Sequence, residues 1–113
     1  MYVLNDRAKS FDGFLPLGPS LVSPRAANPD AMLIATRLND DVVQQSSTED
    51  MVFSAAELIA FLSESTTLLP GTVIATGTPA GVGYTRDPPR YLKPGDVVQV
   101  ELEHVGHLRN VVE

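Results

Sequence analysis

Cysteine and tryptophan are both missing from the 113 residues, and basic residues are few: 8 Lys and Arg stand against 14 Asp and Glu, for a net charge of -6. Without cysteine the chain has no disulfide framework and no thiolate metal centre. Without a Lys/Arg cluster to release counterions, no nucleic-acid partner is expected. No apolar run approaches the ~20 residues that cross a bilayer, and the first ten residues read neither as a signal peptide nor as a basic leader. The expectation is a cytoplasmic protein without a membrane partner. What is present is enough for a core, at 43% hydrophobic and 19% charged residues, and the length suits one domain or part of one.

Nine prolines and eight glycines cut the chain into short elements. Residues 2–4 suit a strand end. Residues 9–29 are dense in turns (Asp12-Gly13, Leu15-Pro16, Gly18-Pro19, Ser23-Pro24, Asn28-Pro29) yet carry Phe11, Phe14, Leu17, Leu21 and Val22. They read as an ordered loop that lines something. Residues 32–38 and 41–45 read as strands joined by Asn39-Asp40, a pair that tolerates positive φ in a tight hairpin. Residues 46–51 suit one helical turn. Ser54 with Glu57 forms a capping box for the one main helix, about residues 54–64, with Ala55, Leu58, Ile59 and Leu62 as its buried face. Residues 72–76 read as a short buried strand, residues 77–83 as a glycine-rich loop, and residues 97–103 as a half-buried strand with Val98, Val100 and Leu102 inward. Gly106 turns the chain and residues 108–112 return as a last strand. The fold class is mixed, a β-rich α+β arrangement in one domain over residues 1–113.

Several segments could carry chemistry. The loop Thr76-Gly77-Thr78-Pro79-Ala80-Gly81-Val82-Gly83 lets backbone approach a ligand, and its N–H and hydroxyl groups can receive an anion. It lacks the Gly-Lys-Ser/Thr of a phosphate loop and the helix of a dinucleotide fingerprint. A tight loop with no ligand is the equal alternative on spacing alone. Lys9, beside Phe11, could hold a carboxylate or an enolate, or could be a surface lysine at a turn. Asp6 is a carboxylate of the type that binds Mg²⁺ or Mn²⁺, though one carboxylate makes no site. His104 and His107, and Glu101 and Glu103, read as exposed or solvated groups rather than ligands. Gln44, Gln45, Ser46, Ser47 and Thr48 offer neutral polar groups only.

Taken in order, Lys9-Ser10-Phe11-Asp12-Gly13-Phe14 leading to Pro16-Leu17-Gly18-Pro19, the run NDDVVQQSSTEDM at 39–51, Leu69-Pro70-Gly71 through TGTPAGVG, Leu92-Lys93-Pro94-Gly95-Asp96, and Gly106-x-Leu108-x-Asn110 form a specific combination over nearly the whole chain. It resembles the catalytic domain of the fumarylacetoacetate hydrolase family, in its C-terminal part. The resemblance implies a β-roll or sandwich portion and a divalent cation, Mg²⁺ or Mn²⁺. It implies action on small 2-oxo acids or their enols: C–C bond hydrolysis, decarboxylation or isomerisation of fumarylacetoacetate- or hydroxymuconate-like dioates. In that family the metal chelates the 2-oxo carboxylate and stabilises the enolate as a Lewis acid. By motif match Lys9 would be the catalytic lysine that contacts substrate, Thr78 and Gly77 would bind the substrate carboxylate, and Asp6 would be a metal ligand. A homodimer is the assembly the resemblance implies.

The family's Glu-x-Glu metal pair and its His-Glu acid/base pair precede the Asn-Asp motif, and His104 and His107 do not match them. The chain therefore reads as the C-terminal half of a family member. A lone aspartate does not hold Mg²⁺ against water, so the isolated chain is expected to be weakly active or inactive. The alternatives are a catalytically inactive remnant of the fold that pairs with another chain, and an unrelated small β-barrel that binds a peptide or an anion.

Overall fold

A computed structural model of the chain describes residues 11–113. The expected strand at residues 2–4 lies outside them, as do Asp6 and Lys9. The described residues form one antiparallel sheet and one helix, in the order β1 (Leu33–Leu38), β2 (Asp41–Ser47), α1 (Ala55–Ser63), β3 (Val97–Leu102) and β4 (Gly106–Val111). The strands lie in the spatial order β2-β1-β3-β4. No helix among the described residues is long and apolar enough to cross a membrane.

The β1–β2 hairpin follows from its turn. Asn39 and Asp40 take φ of 52° and 71°, and Leu38 pairs with Asp41 across a two-residue loop. The Asn39 side chain then locks this end of the sheet. Its Nδ2 donates to Asp96 Oδ1 at 2.8 Å, its Oδ1 accepts from Val97 N–H at 2.8 Å, and its own N–H donates to the Val97 carbonyl at 2.9 Å. Asp96 in turn accepts from Lys93 N–H at 2.8 Å. With Asn39 first and Lys93 second, these donors hold the Asp96 carboxyl below the usual carboxylate range.

Register places Ile34, Thr36 and Leu38 of β1 opposite Leu102, Val100 and Val98 of β3. Val100 in turn pairs with Leu108 of β4. One face of the sheet is therefore mainly apolar, as the alternation in β3 predicts. The other face carries Arg37, whose Nε donates to Glu101 Oε1 at 3.0 Å, and Gln99, whose Nε2 donates to the same oxygen at 2.9 Å. Gln44 pairs with Thr36 and Ser46 with Ile34, so both lie on the apolar face. Between Thr36 and Arg37 the register slips, which leaves Val43 as an extra residue opposite no partner, a β-bulge.

Helix α1 has the expected start: Ser54 N–H donates to Glu57 Oε2 at 2.7 Å and Glu57 N–H donates to Ser54 Oγ at 3.2 Å. Residues 46–51 do contain one helical turn, of 3₁₀ type at Thr48–Asp50. Its reciprocal cap is made by Ser47 and Asp50. The buried face of α1 is narrower than its sequence pattern: Ala55, Leu58 and Leu62 are half-buried, while Ile59 is 49% exposed. A nine-residue helix that packs on one side buries a single i, i+3, i+7 stripe, and Ile59 sits on its flank.

Residues 72–76 form no strand. They run without a ladder partner, and Val73 is 65% exposed. A β-branched run becomes a strand only where a neighbouring strand meets its backbone, and the described residues offer none there. The β3–β4 turn is made by Glu103, His104 and Val105, with His104 at φ 60°, and Gly106 already opens β4. Residues 11–31 are irregular, as expected. Pro16 to Pro19 line a cavity against Val100, Leu102 and Leu108 at the β3–β4 side of the apolar face. Among the described residues the buried apolar side chains are Ala27, Met32 and Leu38, while Phe11, Phe14, Leu17, Leu21, Phe53 and Phe61 are exposed.

Candidate functional site

The glycine-rich loop sits on the apolar face of β2, against the bulge. The unpaired Val43 carbonyl accepts a short hydrogen bond from Arg86 Nη2, and Arg86 Nε donates to the Gly81 carbonyl at 3.2 Å. One guanidinium therefore joins strand and loop. Next along the strand, Gln44 Nε2 donates to Thr78 Oγ1 and to the Pro79 carbonyl, each at 2.9 Å. The loop lies so close that a Cβ on Gly81 would collide with the Val43 carbonyl, and one on Gly83 with the Arg90 carbonyl. Arg90 N–H donates to the Gly83 carbonyl at 2.9 Å, and its guanidinium reaches Asp41 Oδ2 at 3.3 Å. Gly81 is thus set by backbone approach to the sheet, and Gly83 by backbone approach to Arg90.

Gly77, at φ 116°, and Thr78 stand at the rim of a cavity of about 250 Å³. Its wall is continued by Ser46 and Ser47 at the end of β2, by Thr48 and Asp50 in the 3₁₀ turn after it, and by Phe53 and Leu58. Several of these polar groups are already engaged. Thr48 Oγ1 accepts from Met32 N–H at 2.9 Å, and Ser47 Oγ accepts from Glu49 N–H at 3.2 Å. Ser46 Oγ donates to Asp50 Oδ2 at 2.6 Å, and Ser47 N–H donates to the same oxygen at 3.1 Å. Led by the Ser46 hydroxyl, these donors hold the Asp50 carboxyl below its usual range. The arrangement can bind and orient a small polar molecule between a hydroxyl-bearing loop and a polar strand end.

Thr78 and Gly77 line one cavity. Lys9 and Asp6 lie outside the described residues. Among the described residues no three His, Asp or Glu side chains come together to hold a metal. One carboxylate among hydroxyls is not the donor set that Mg²⁺ or Mn²⁺ takes, so the described residues do not by themselves fit the implied cation. His104 and His107 are exposed. Sequence reasoning noted Gln44 only as a neutral polar group and assigned no role to Arg86 or Asp50; in the structure Gln44 anchors the loop, Arg86 bridges it to the strand and Asp50 lies in the cavity wall. Gln44 carried little signal, since residues 41–47 (DVVQQSS) do not alternate and the bulge at Val43 decides which face Gln44 takes. Arg86 carried none, because its partner is created by the bulge.

Comparison with known proteins places this geometry. The family described as fumarylacetoacetate (FAA) hydrolase C-terminal matches residues 3–113. The chain is 50% identical over 105 residues to the mitochondrial oxaloacetate tautomerase FAHD2B of Homo sapiens, covering 92% of this chain and 33% of that protein. It thus spans about a third of the length of the curated relatives it matches. The crystallised fumarylacetoacetate hydrolase of the psychrophile Exiguobacterium antarcticum superposes with a TM-score of 0.91 at 46% identity, over 95% of this chain and 39% of that one. A maleylpyruvate hydrolase from Sphingobium sp. SYK-6, in complex with manganese(II) and pyruvate, superposes with a TM-score of 0.80 at 36% identity, over 90% of this chain and 36% of that one. Its relatives are thus named as enzymes, and with the motif order, the fold and the family match in agreement, the chain belongs to the fumarylacetoacetate hydrolase family.

Proposed function

We propose that the protein acts on small 2-oxo acids or their enols, by tautomerisation, isomerisation, decarboxylation or C–C bond hydrolysis, and that the Thr78 loop receives the substrate carboxylate. The observation that carries this reading is the placement of Thr78 and Gly77 at the rim of a cavity sized for a small acid. The names of the relatives, an oxaloacetate tautomerase and a maleylpyruvate hydrolase, supply the substrate class. In this reading Lys9 neutralises the substrate's charge and contacts its oxo group, while the Thr78 hydroxyl and the loop backbone orient the carboxylate. The proposal includes a divalent cation, Mg²⁺ or Mn²⁺, with Asp6 as this chain's contribution. Manganese in the maleylpyruvate hydrolase supports it. The exposed Phe11, Phe14, Phe53 and Phe61 support assembly with further protein, a homodimer in this reading.

The test is calorimetric titration of the intact protein with pyruvate in the presence of Mn²⁺. Thr78→Val removes one hydroxyl at nearly constant volume. A hydrogen bond to a charged group contributes roughly 1.5–3 kcal/mol, so Thr78→Val is expected to weaken pyruvate by about 10- to 100-fold. Unchanged affinity in Thr78→Val removes the loop from the site. A wild-type protein that binds neither cation nor pyruvate favours the inactive partner-chain reading.

A further inference from the structure

Thr78 lines both of two adjoining cavities. One is the cavity of Ser46 and Asp50, and the other, of about 310 Å³, lies between the loop and the sheet and is lined by Gln44, Arg86 and Val98. Gln44 reaches Thr78 from the second. The orientation of the Gln44 carboxamide follows from chemistry. A carbonyl oxygen can only accept, so the Gln44 atom 2.9 Å from the Pro79 carbonyl must be the NH₂ group. The same nitrogen lies 2.9 Å from Thr78 Oγ1 and donates its second hydrogen there. A threonine hydroxyl carries one hydrogen and two lone pairs. With a lone pair facing a donor on the sheet side, the hydrogen is not needed there.

We infer that Gln44 is a positioning residue that commits the Thr78 hydroxyl to donate outward, into the Asp50 cavity, so that it meets an anionic ligand as a donor. Resting on the reading of Thr78 as a carboxylate-holding group, the inference adds how that group is polarised. Gln44 touches no ligand. It acts through the hydroxyl, while Arg86 fixes the loop by bridging the Val43 and Gly81 carbonyls. The consequence is a preference for a ligand atom that only accepts, such as a carboxylate oxygen, over a donor at the same place.

Gln44→Glu tests this at nearly constant shape. A glutamate carboxylate only accepts, so it draws the Thr78 hydrogen inward and faces the Pro79 carbonyl without a donor. When protonated it can again donate one hydrogen to Thr78. With Mn²⁺ present, pyruvate affinity of Gln44→Glu is expected to fall about tenfold or more at pH 8. It should recover in part as pH is lowered toward 5, where pyruvate stays ionised, while the wild type follows a flatter profile. In the Thr78→Val background the same change should add little, because the hydroxyl it misdirects is gone. Weakening with no pH recovery, or an equal loss in both backgrounds, overturns the inference in favour of simple structural damage. If Thr78→Val weakens pyruvate and Gln44→Glu does not, the inference fails and the reading of Thr78 stands. If Thr78→Val has no effect, that reading fails first. Independently of any variant, the side-chain amide hydrogens of Gln44 should exchange slowly in the wild type and stay so on adding pyruvate. Fast exchange of both would overturn the inference.

Discussion

The hairpin end of β2 and its bulge, at Val43 in mid-strand, are held by different physics. At the hairpin end, Asn39 supplies the turn conformation and the bonds that tie the turn to β3, whose first residue is Val97, and to Asp96 just before it. At the bulge, Val43 and Gln44 hold the loop at 78–83, which belongs to no strand. The first arrangement satisfies the backbone and is complete in itself. The second leaves a hydroxyl, Thr78, at the rim of a cavity. Closure of the sheet and presentation of a ligand group are therefore assigned to different stretches of one strand, and each can be broken separately.

The largest effect should come from the bulge. Gly81→Ala puts a Cβ into the Val43 carbonyl at a residue whose φ is 101°. Neither strand nor loop can yield without losing the Arg86 bridge. Overpacking and left-handed strain cost roughly 1–3 kcal/mol each, so the loop should lift. Pyruvate binding should be lost, while amide protection of the β1–β3 ladder persists. Loss of ladder protection as well would show that the two regions are not separable.

At the hairpin end the expected effect is smaller. Asn39→Ala loses the side-chain bonds and keeps a Cβ at φ 52°, whereas Asn39→Gly loses the bonds alone. Left-handed backbone costs a Cβ-bearing residue about 1–2 kcal/mol, so Ala should destabilise the protein more than Gly by that amount in urea unfolding. Both should leave pyruvate affinity near wild type. Equal losses would mean that the side-chain bonds and not the backbone hold this end.

The same contrast explains what was legible in the sequence. Asn39-Asp40, the Ser54/Glu57 box and the alternation of β3 are local devices, in which propensity and structure agree, and each stands where the pattern put it. The glycine loop and Thr78 were legible as a segment and through the family's motif order. The anchors were not, since the Gln44–Thr78 bond spans 34 positions and the Arg86–Val43 bond 43. Residues 72–76 failed as a strand for the opposite reason: their propensity is local, but a ladder needs a neighbour. Asp6 and Lys9 lie outside the described residues, so the chemistry assigned to them rests on the resemblance alone.

The smallest predicted effect separates the two regions by charge. Asp96 at the hairpin end and Asp50 in the turn that follows β2 both have depressed carboxyl pKa values, because donors favour the ionised form. A group whose folded pKa lies below its unfolded value contributes stability that is present above the ordinary carboxylate range and is lost as pH falls through the folded pKa. The loss from both should therefore begin below about pH 4. Both side chains are solvated, so screening keeps it slight. Asp50 alone borders the cavity. A carboxylate bound there adds a like charge and should raise the Asp50 midpoint, leaving that of Asp96 unmoved. Carboxyl resonances followed through an acid titration, with and without pyruvate at constant Mg²⁺, read both midpoints at once. A shift at Asp96, or none at Asp50, would place the ligand somewhere other than the rim held by Thr78.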